Sequence, residues 1–151
     1  MAILNEALNK ASFKSAYCFS RKERRTLMID FNDSTIFKLK PMEESAVRSE
    51  IKAFFVEGEN IVSAFKTVRD QLVFTNKRII AANVKGMTGK KVDYTSIPYS
   101  KVQTYSIETA GTIDLDCEIE LYISAVGKVK FEIQGKFDIV KFNKILSNYV
   151  L

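Results

Sequence analysis

Residues 113–123 alternate almost perfectly between apolar and polar side chains. Their sequence is I-D-L-D-C-E-I-E-L-Y-I, so every second residue is apolar and the residues between them are acidic apart from Tyr122. Side chains that alternate in this way lie on opposite faces of an extended strand. The pattern therefore predicts a strand of an antiparallel sheet with one buried face and one solvent-exposed face.

The exposed face of this strand carries four acids, which are Asp114, Asp116, Glu118 and Glu120. Residues i and i+2 of a strand lie about 6.8 Å apart, so neighbouring carboxylates repel each other by roughly 0.6 kcal/mol in water. We therefore expect the strand to have basic neighbours, either on an adjoining strand or on another molecule.

Charge is distributed in two blocks along the second half of the chain. Residues 66–101 contain eight basic residues and two acids, whereas residues 102–120 contain five acids and no base. The blocks either neutralise each other within one monomer or match between identical subunits, where complementary charge sets orientation and register. The second hypothesis predicts an oligomer interface that contains Asp114, Asp116, Glu118, Glu120, Lys77, Arg78, Lys90, Lys91, Phe54 and Phe55.

The composition argues against an enzyme and against a metal or cofactor site. The 151 residues include no histidine, so a histidine base, a Ser-His pair and a histidine metal ligand are all excluded. The two cysteines, Cys18 and Cys117, cannot form a zinc site by themselves, and Cys117 lies on the predicted core face. Carboxylates on one strand face do not converge as calcium ligands do. The glycine-rich stretch 86–91 predicts a hairpin turn, because no helix follows it to bind a phosphate.

Membrane spans and nucleic acid binding are not expected either. No apolar run approaches the roughly 20 residues of a membrane span. The first fifteen residues lack the apolar core of a secretory signal, so we expect a cytoplasmic protein. The charge of +5 is modest, and the aromatic residues do not form a base-stacking platform.

The length fits one domain, residues 41–151, preceded by an extension, residues 1–40. The extension contains a weakly amphipathic stretch at 2–17, a basic cluster at 21–25, and two apolar runs, Leu27–Phe31 and Thr35–Leu39, with a turn sequence between them. It is interpreted as a flexible arm or an added hairpin, with a membrane-surface helix as the alternative.

A helix is predicted at the start of the domain, over about 42–57. Pro41 and two acids precede apolar residues at helical spacing, and Gly58 is a natural end. The apolar stripe, which includes Phe54 and Phe55, must cover either a sheet in the same chain or a neighbouring subunit.

The rest of the chain is predicted to form a partly open antiparallel barrel. Strands are expected near 61–69, 71–75, 78–84, 91–96, 101–108, 113–124 and 128–134, with a turn sequence between each pair. Apolar residues at helical spacing over about 136–150 predict a C-terminal helix. The simplest packing places this helix in the open end of a seven-stranded barrel.

Five segments carry a resemblance to a known family. They are A-F-K-T-V-R-D at 64–70, V-F-T-N-K-R-I-I at 73–80, G-M-T-G-K-K-V-D-Y at 86–94, S-I-P-Y-S-K at 96–101 and E-T-A-G-T-I-D-L-D at 108–116. In these segments the chain resembles the bacterial pleckstrin-homology-like domain family, formerly a domain of unknown function. The resemblance covers residues 47–151. It implies the pleckstrin-homology fold, no enzymatic activity, and self-association into ring-like homo-oligomers.

Together these observations predict a self-assembling protein interaction module whose further protein partners are not specified. The alternative is a peripheral binder of anionic lipid. Its basic surface would comprise Lys66, Arg69, Lys77, Arg78 and Lys85, with Lys90 and Lys91 beside them. Specific phosphoinositide recognition is not expected, because the connection between the first two strands, 69–71, is too short to surround a headgroup and contains an acid.

Overall fold

The computed structural model describes residues 38–109, 116–124, 126–135 and 138–151. Most of these residues lie in strands, which confirms the mainly β fold. The elements are β1 (Lys38–Met42), α1 (Ser49–Ala53), β2 (Ile61–Lys66), β3 (Gln71–Thr75), β4 (Arg78–Lys85), β5 (Lys91–Pro98), β6 (Val102–Glu108), β7 (Cys117–Ile123), β8 (Gly127–Ile133) and α2 (Ile139–Val150). Short 3-10 turns are present at Glu44–Ala46 and Tyr99–Lys101.

The strands form one curved sheet in the order β5-β4-β3-β2-β1-β8-β7-β6. We call β2 to β5 the first sheet and β6 to β8 the second sheet. β1 joins them, because Lys38 and Leu39 pair in parallel with β8 whereas its last three residues pair antiparallel with β2. The described residues thus form eight strands, one more than the seven predicted. β1 was not predicted as part of the barrel, because Leu39 is its one buried residue and Pro41 lies inside it.

The inward faces of both sheets and one side of α2 enclose the main core. Phe74 lies near its centre, with ring centroids 4.9 Å from Phe142 on α2, 5.8 Å from Phe65 and 6.3 Å from Phe131. α2 begins where the Asp138 carboxylate accepts a hydrogen bond from the Lys141 amide at 2.9 Å, a typical N-terminal cap. The predicted barrel with a helix in its open end is therefore confirmed.

The outward face of the first sheet is covered by residues 43–60, which we call the outer layer. Val47 and Ile51 of the outer layer pack on Val73 and Ile80 of the sheet. The single helix predicted over 42–57 is wrong: a 3-10 turn and the five-residue α1 are separated by Val47 and Arg48, whose backbone is extended. The break places the Val47 side chain on the sheet and lets the Arg48 amide donate to Gln71 Oε1 at 3.0 Å.

The outward face of the second sheet has no such cover among the described residues. On β7 the side chains alternate as predicted, with Cys117, Ile119 and Leu121 buried and Glu118 and Glu120 only half-buried. The first three residues of that predicted strand, 113–115, lie outside the described residues. So do the stretch 2–17, the basic cluster 21–25, the apolar run Leu27–Phe31, and residues 136–137 of the predicted C-terminal helix.

Candidate assembly surface

β5 and β6 are the two ends of the curved sheet, and each is paired on one side only within the described part of the chain. β6 reads V-Q-T-Y-S-I-E and lacks the lysine and proline that commonly protect an edge strand, so its protection is limited to an irregularity near its start and Glu108 at its end. β5 is better protected, because it begins at Lys91 and ends at Pro98. The two edges also differ in charge: Lys90 and Lys91 are exposed at the start of β5, and Glu108 is exposed at the end of β6.

A hollow of about 350 Å³ lies on the outward face beside β6. It occurs next to an irregularity between Val102 and Thr104, where β6 steps out of register with β7. Tyr122 stands at this hollow with half of its surface exposed. The residues that line it are Thr104, Tyr105, Ser106, Glu120, Leu121, Tyr122 and Lys128.

Phe54 is held over the outward face of β5. Its ring lies edge-on to Tyr94 of β5, with centroids 4.9 Å apart, yet 47% of the residue remains exposed. Its carbonyl oxygen accepts a hydrogen bond from Arg78 Nη2 at 2.5 Å, which fixes the backbone. Phe55, the other predicted interface phenylalanine, is half-buried and packs within the outer layer. Of the pair, Phe54 is the one that keeps an exposed apolar surface.

The acids of β7 find basic partners on β8. Lys130 Nζ lies 2.6 Å from Glu118 Oε2, and Lys128 Nζ lies 2.7 Å from Glu120 Oε2. The Lys128 ion pair lowers the pKa of Glu120. Asp116 accepts a hydrogen bond from the Gly135 amide at 3.3 Å, and Asp114 lies outside the described residues. The repulsion along the strand is therefore relieved by lysines that belong to neither charge block.

The basic residues predicted for the interface lie in two separate places. Lys77 and Arg78 lie at one end of β4, whereas Lys90 and Lys91 lie beyond its other end. Arg78 is already hydrogen-bonded within the chain. Its Nε donates to Glu59 Oε1 at 2.9 Å and its Nη1 donates to Ser96 Oγ at 3.0 Å. Only Lys77, Lys90 and Lys91 of the four remain exposed.

Glu59 is a buried carboxylate whose side chain has no exposed surface. It accepts hydrogen bonds from Arg78, from the Thr75 hydroxyl at 2.8 Å and from the Val56 amide at 3.0 Å. Burial by itself raises the pKa of Glu59, but the hydrogen bonds from Arg78, Val56 and Thr75 outweigh it, and the net pKa is lowered. This cluster ties the outer layer to the turn between β3 and β4.

The basic residues of the lipid-binding alternative also lie at two opposite ends of the first sheet. Lys66, Arg69 and Lys85 lie at the end of the first sheet opposite Lys77 and Arg78. Arg69 Nη2 donates to the Gly86 carbonyl at 2.6 Å and thereby joins two neighbouring turns. Lys85 forms an ion pair with Asp93 at 2.8 Å.

The turn between β2 and β3 is closed by its own hydrogen bonds. Asp70 Oδ1 accepts from the Val84 amide at 2.8 Å, and the Thr67 amide donates to the Asp70 carbonyl at 3.0 Å. This turn therefore has no open loop to surround a headgroup. The tips of the two joined turns, Val68 and Met87, are fully exposed apolar side chains.

Sequence reasoning missed the roles of three residues. Glu59 lies in a loop where no periodic pattern marks a buried position. Glu108 can be recognised as an edge residue only when the strand order shows that β6 is at the end of the sheet. Tyr122 was placed on the exposed face, but the hollow beside it depends on the register irregularity of β6. Across the described ranges, no three His, Cys, Asp or Glu side chains gather in a way that suits a metal ion.

The curved sheet with a helix in its open end defines a pleckstrin-homology-like protein, and comparisons with known proteins agree. The family profile described as "Bacterial PH domain" matches residues 30–150, so the chain belongs to the bacterial PH domain family. The uncharacterized protein YjqA of Bacillus subtilis (strain 168) is 40% identical over 116 residues, which cover 74% of this chain and 93% of YjqA.

Two solved structures share the fold. A DUF1696 family protein with a pleckstrin-homology domain from Shewanella loihica PV-4 is 34% identical, with a TM-score of 0.66 over 76% of this chain and 99% of that one. A pleckstrin homology domain from Shewanella amazonensis SB2B is 40% identical, with a TM-score of 0.52 over 68% and 83% of the two chains. In the described part of the chain, neither helix has the length and apolarity needed to span a membrane.

Proposed function

We propose that the chain is a non-enzymatic module that assembles with copies of itself into a ring. The observation that carries the proposal is the pair of open sheet edges, with Lys91 exposed at the start of β5 and Glu108 exposed at the end of β6. An edge strand presents unpaired backbone donors and acceptors, which a strand of another molecule can satisfy. β6 is such an edge and has a single charged residue, Glu108.

Antiparallel pairing of β5 from one copy with β6 of the next brings Lys91 close to Glu108, because the start of one strand meets the end of the other. Like-charged residues do not oppose each other in this arrangement. The contact uses two different surfaces of the chain and is therefore head-to-tail. Because β5 and β6 run in the same direction within one copy, antiparallel pairing turns each copy over relative to the next, and a ring closes only when the curvature of the sheet supplies the remaining rotation. This places the basic block against the acidic block at one defined pair of residues.

A charge exchange in the full chain tests the proposal. Lys91→Glu and Glu108→Lys each place like charges at the contact and should lower the mass measured by light scattering after size exclusion. The double variant restores an opposite pair and should recover the assembly. Lys77→Glu is the matched control, since this exposed lysine lies at the far end of the first sheet. Equal masses for both single variants and the unmodified chain would refute the contact.

Reversal of Asp114, Asp116 and Glu118 is a weaker test than this exchange. Glu118 is bound to Lys130 and Asp116 to the Gly135 amide, so their reversal places like charges beside Lys130 within each copy and does not report on the contact between copies alone.

A second candidate function, contact with an anionic membrane surface, is favoured by one specific observation. Val68 and Met87 are fully exposed at the tips of two turns that Arg69 joins. Exposed basic residues surround this end of the first sheet, and β1 adds two that the sequence did not suggest. These basic residues are Lys38, Lys40, Lys66, Arg69, Lys90 and Lys91. Each basic side chain near an anionic bilayer contributes about 1 kcal/mol of attraction.

Vesicle sedimentation tests whether the protein binds an anionic membrane surface. The full chain should bind vesicles that contain phosphatidylglycerol and should not bind phosphatidylcholine vesicles. Val68→Asp with Met87→Asp should abolish binding, whereas Val140→Asp, which changes an exposed valine on α2, should not. Equal recovery of protein with both kinds of vesicle would count against the membrane candidate.

A further inference from the structure

We propose that an apolar cluster joins neighbouring copies of the chain on one side of the sheet that they share. Its members are Phe54, Val92 and Tyr94 of one copy with Tyr105 and Ile107 of the next. The inference rests on the proposed function, because it names the side chains that meet when β5 of one copy pairs with β6 of another. The partner at this surface is a second copy of the chain.

The direction of the two edge strands decides which faces meet. Within one copy β5 and β6 run in the same direction, since the sheet contains the parallel pair β1 and β8 among its antiparallel pairs. Antiparallel pairing of β5 with β6 of the next copy therefore turns that copy over. In the joined sheet, the outward face of the first sheet continues as the inward face of the neighbour's second sheet.

The charge pair sets a register that agrees with this rule. When Lys91 is opposite Glu108, further pairs follow because antiparallel strands advance at the same rise. These pairs are Val92 with Ile107, and Tyr94 with Tyr105. Val92 and Tyr94 pack with the outer layer and point outward, whereas Tyr105 and Ile107 pack on the main core and point inward. Strand direction and register therefore bring the same four side chains to one side of the joined sheet.

The same register separates polar from apolar side chains. On the other side of the joined sheet, next to the charge pair, Asp93 is opposite Ser106 and Thr95 is opposite Thr104. All of these β6 residues lie in its regular part, beyond the irregularity near its start. A shift of one residue would bring Tyr94 opposite Ser106 and mix the two kinds of side chain. Polarity thus favours the register that the charges select.

Each half of the cluster is incomplete in the single chain. Its four strand residues, Val92, Tyr94, Tyr105 and Ile107, are only half-buried. Phe54 lies edge-on to Tyr94, with centroids 4.9 Å apart, and is 47% exposed. Paired strands lie about 4.8 Å apart, which puts opposed aromatic rings within contact range. The Tyr105 hydroxyl is already hydrogen-bonded to Ser147 of α2 at 2.6 Å, so covering its ring leaves that group paired.

Disulfide capture tests the register and the face together. In the full chain with Cys18→Ser, Val92→Cys and Ile107→Cys put one thiol on each edge, and Cys117 is buried. Opposed residues of antiparallel strands have Cα atoms about 4.5–5.5 Å apart, which suits a disulfide. Oxidation with diamide should give a ladder of covalent multimers on a non-reducing gel, ending at the number of copies in the ring. The matched control is Val92→Cys with Ser106→Cys, whose thiols lie on opposite sides of the joined sheet and should not link.

Phe54→Ala in the full chain tests the apolar contact without cysteines. The hydrogen bond that Phe54 makes uses its carbonyl oxygen, so this variant keeps it. Sedimentation over a range of protein concentrations gives the concentration at which half of the assembly dissociates. Phe54→Ala should raise it by about tenfold, because an aromatic contact is lost. Val126→Ala, in the turn between β7 and β8, is the matched control and should leave it unchanged.

The outcomes separate this inference from the proposed function. If Val92→Cys with Ile107→Cys forms no ladder and Phe54→Ala dissociates like the unmodified chain, the cluster is refuted. The proposed function still stands if the exchange of Lys91 and Glu108 behaves as proposed. A ladder from the control pair with Ser106→Cys would show that the faces are assigned wrongly. If the unmodified chain does not assemble, both proposals are refuted.

Discussion

The two sheets of this protein bury their residues differently. The first sheet is covered on both faces, by the main core on the inside and by the outer layer on the outside, so the central residues of β3 and β4 are buried without alternation. The second sheet is covered on one face only, and β7 and β8 alternate strictly. A sheet with two covered faces contributes stability, whereas a sheet with an open face and an open edge is free to meet another molecule.

The polar interactions of the two sheets differ in the same way. The more buried of the two described ion pairs of the first sheet, Glu59 with Arg78, is inside the outer layer and is joined by further hydrogen bonds. The pairs of the second sheet, such as Lys130 with Glu118, are on the open face. Water screens the latter, so we expect loss of the former to be much more costly.

The largest effect is expected at the centre that both sheets share. Phe74→Ala removes the ring that lies between Phe65, Phe131 and Phe142 and leaves a cavity, which should lower the free energy of unfolding by about 4 kcal/mol. Urea denaturation measures the change. A loss below about 1 kcal/mol would mean that the core collapses around the missing ring.

The next prediction compares the outward faces of the two sheets directly. Ile51→Ala truncates a fully buried side chain of the outer layer and should cost about 3 kcal/mol. Tyr122→Ala on the open face of the second sheet should change the stability of the monomer by less than about 0.5 kcal/mol. Equal losses in urea denaturation would show that the second sheet is also covered.

Glu59 should make the first sheet sensitive to acid. Its folded-state pKa lies below the ordinary value of 4.5, so below that value the unfolded chain binds a proton that the folded chain does not. The stabilisation is complete above about pH 5 and is lost as the pH falls through the lowered pKa. Glu59→Gln should cost about 2 kcal/mol at neutral pH and should weaken this acid dependence.

Glu57→Gln, an exposed neighbour in the same loop, is the control for that variant and should preserve the full acid dependence. Stability curves between pH 3 and pH 7 compare the three proteins. If the stability of Glu59→Gln falls with decreasing pH as much as that of the unmodified chain, Glu59 is not the source of the acid dependence.

The smallest effect is expected on the open face of the second sheet. Lys130→Ala removes the partner of Glu118 in an exposed pair, and urea denaturation should not resolve a difference from the unmodified chain. A clear loss that persists in 1 M sodium chloride would show that this face is shielded from solvent and would weaken the comparison.

The positions of β2 to β8 along the chain could be predicted from the sequence because they depend on local patterns. The alternation of β7 and the turn sequences between strands are properties of neighbouring residues. The helix over 42–57 was predicted wrongly because its interruption depends on a distant residue, Gln71, which binds the Arg48 amide. Runs such as I-I-A-A in β4 already indicate a strand covered on both faces.

The candidate assembly surface could be predicted only in part. The sequence identified the acids of β7 and the two charge blocks, but it could not show that Lys128 and Lys130 neutralise those acids across the hairpin. It also could not show that β5 and β6 are the sheet edges, since that order depends on the insertion of β1 between β2 and β8. Strand order is set by contacts between distant segments and leaves no local pattern.

The most direct test of the central claim is the mass of the unmodified full chain in solution. Size exclusion with light scattering, at several protein concentrations and at low and high salt, should give one defined multimer that loosens as salt screens Lys91 from Glu108. A monomer at every concentration and salt would contradict self-assembly, and the open edges of β5 and β6 would then need another explanation.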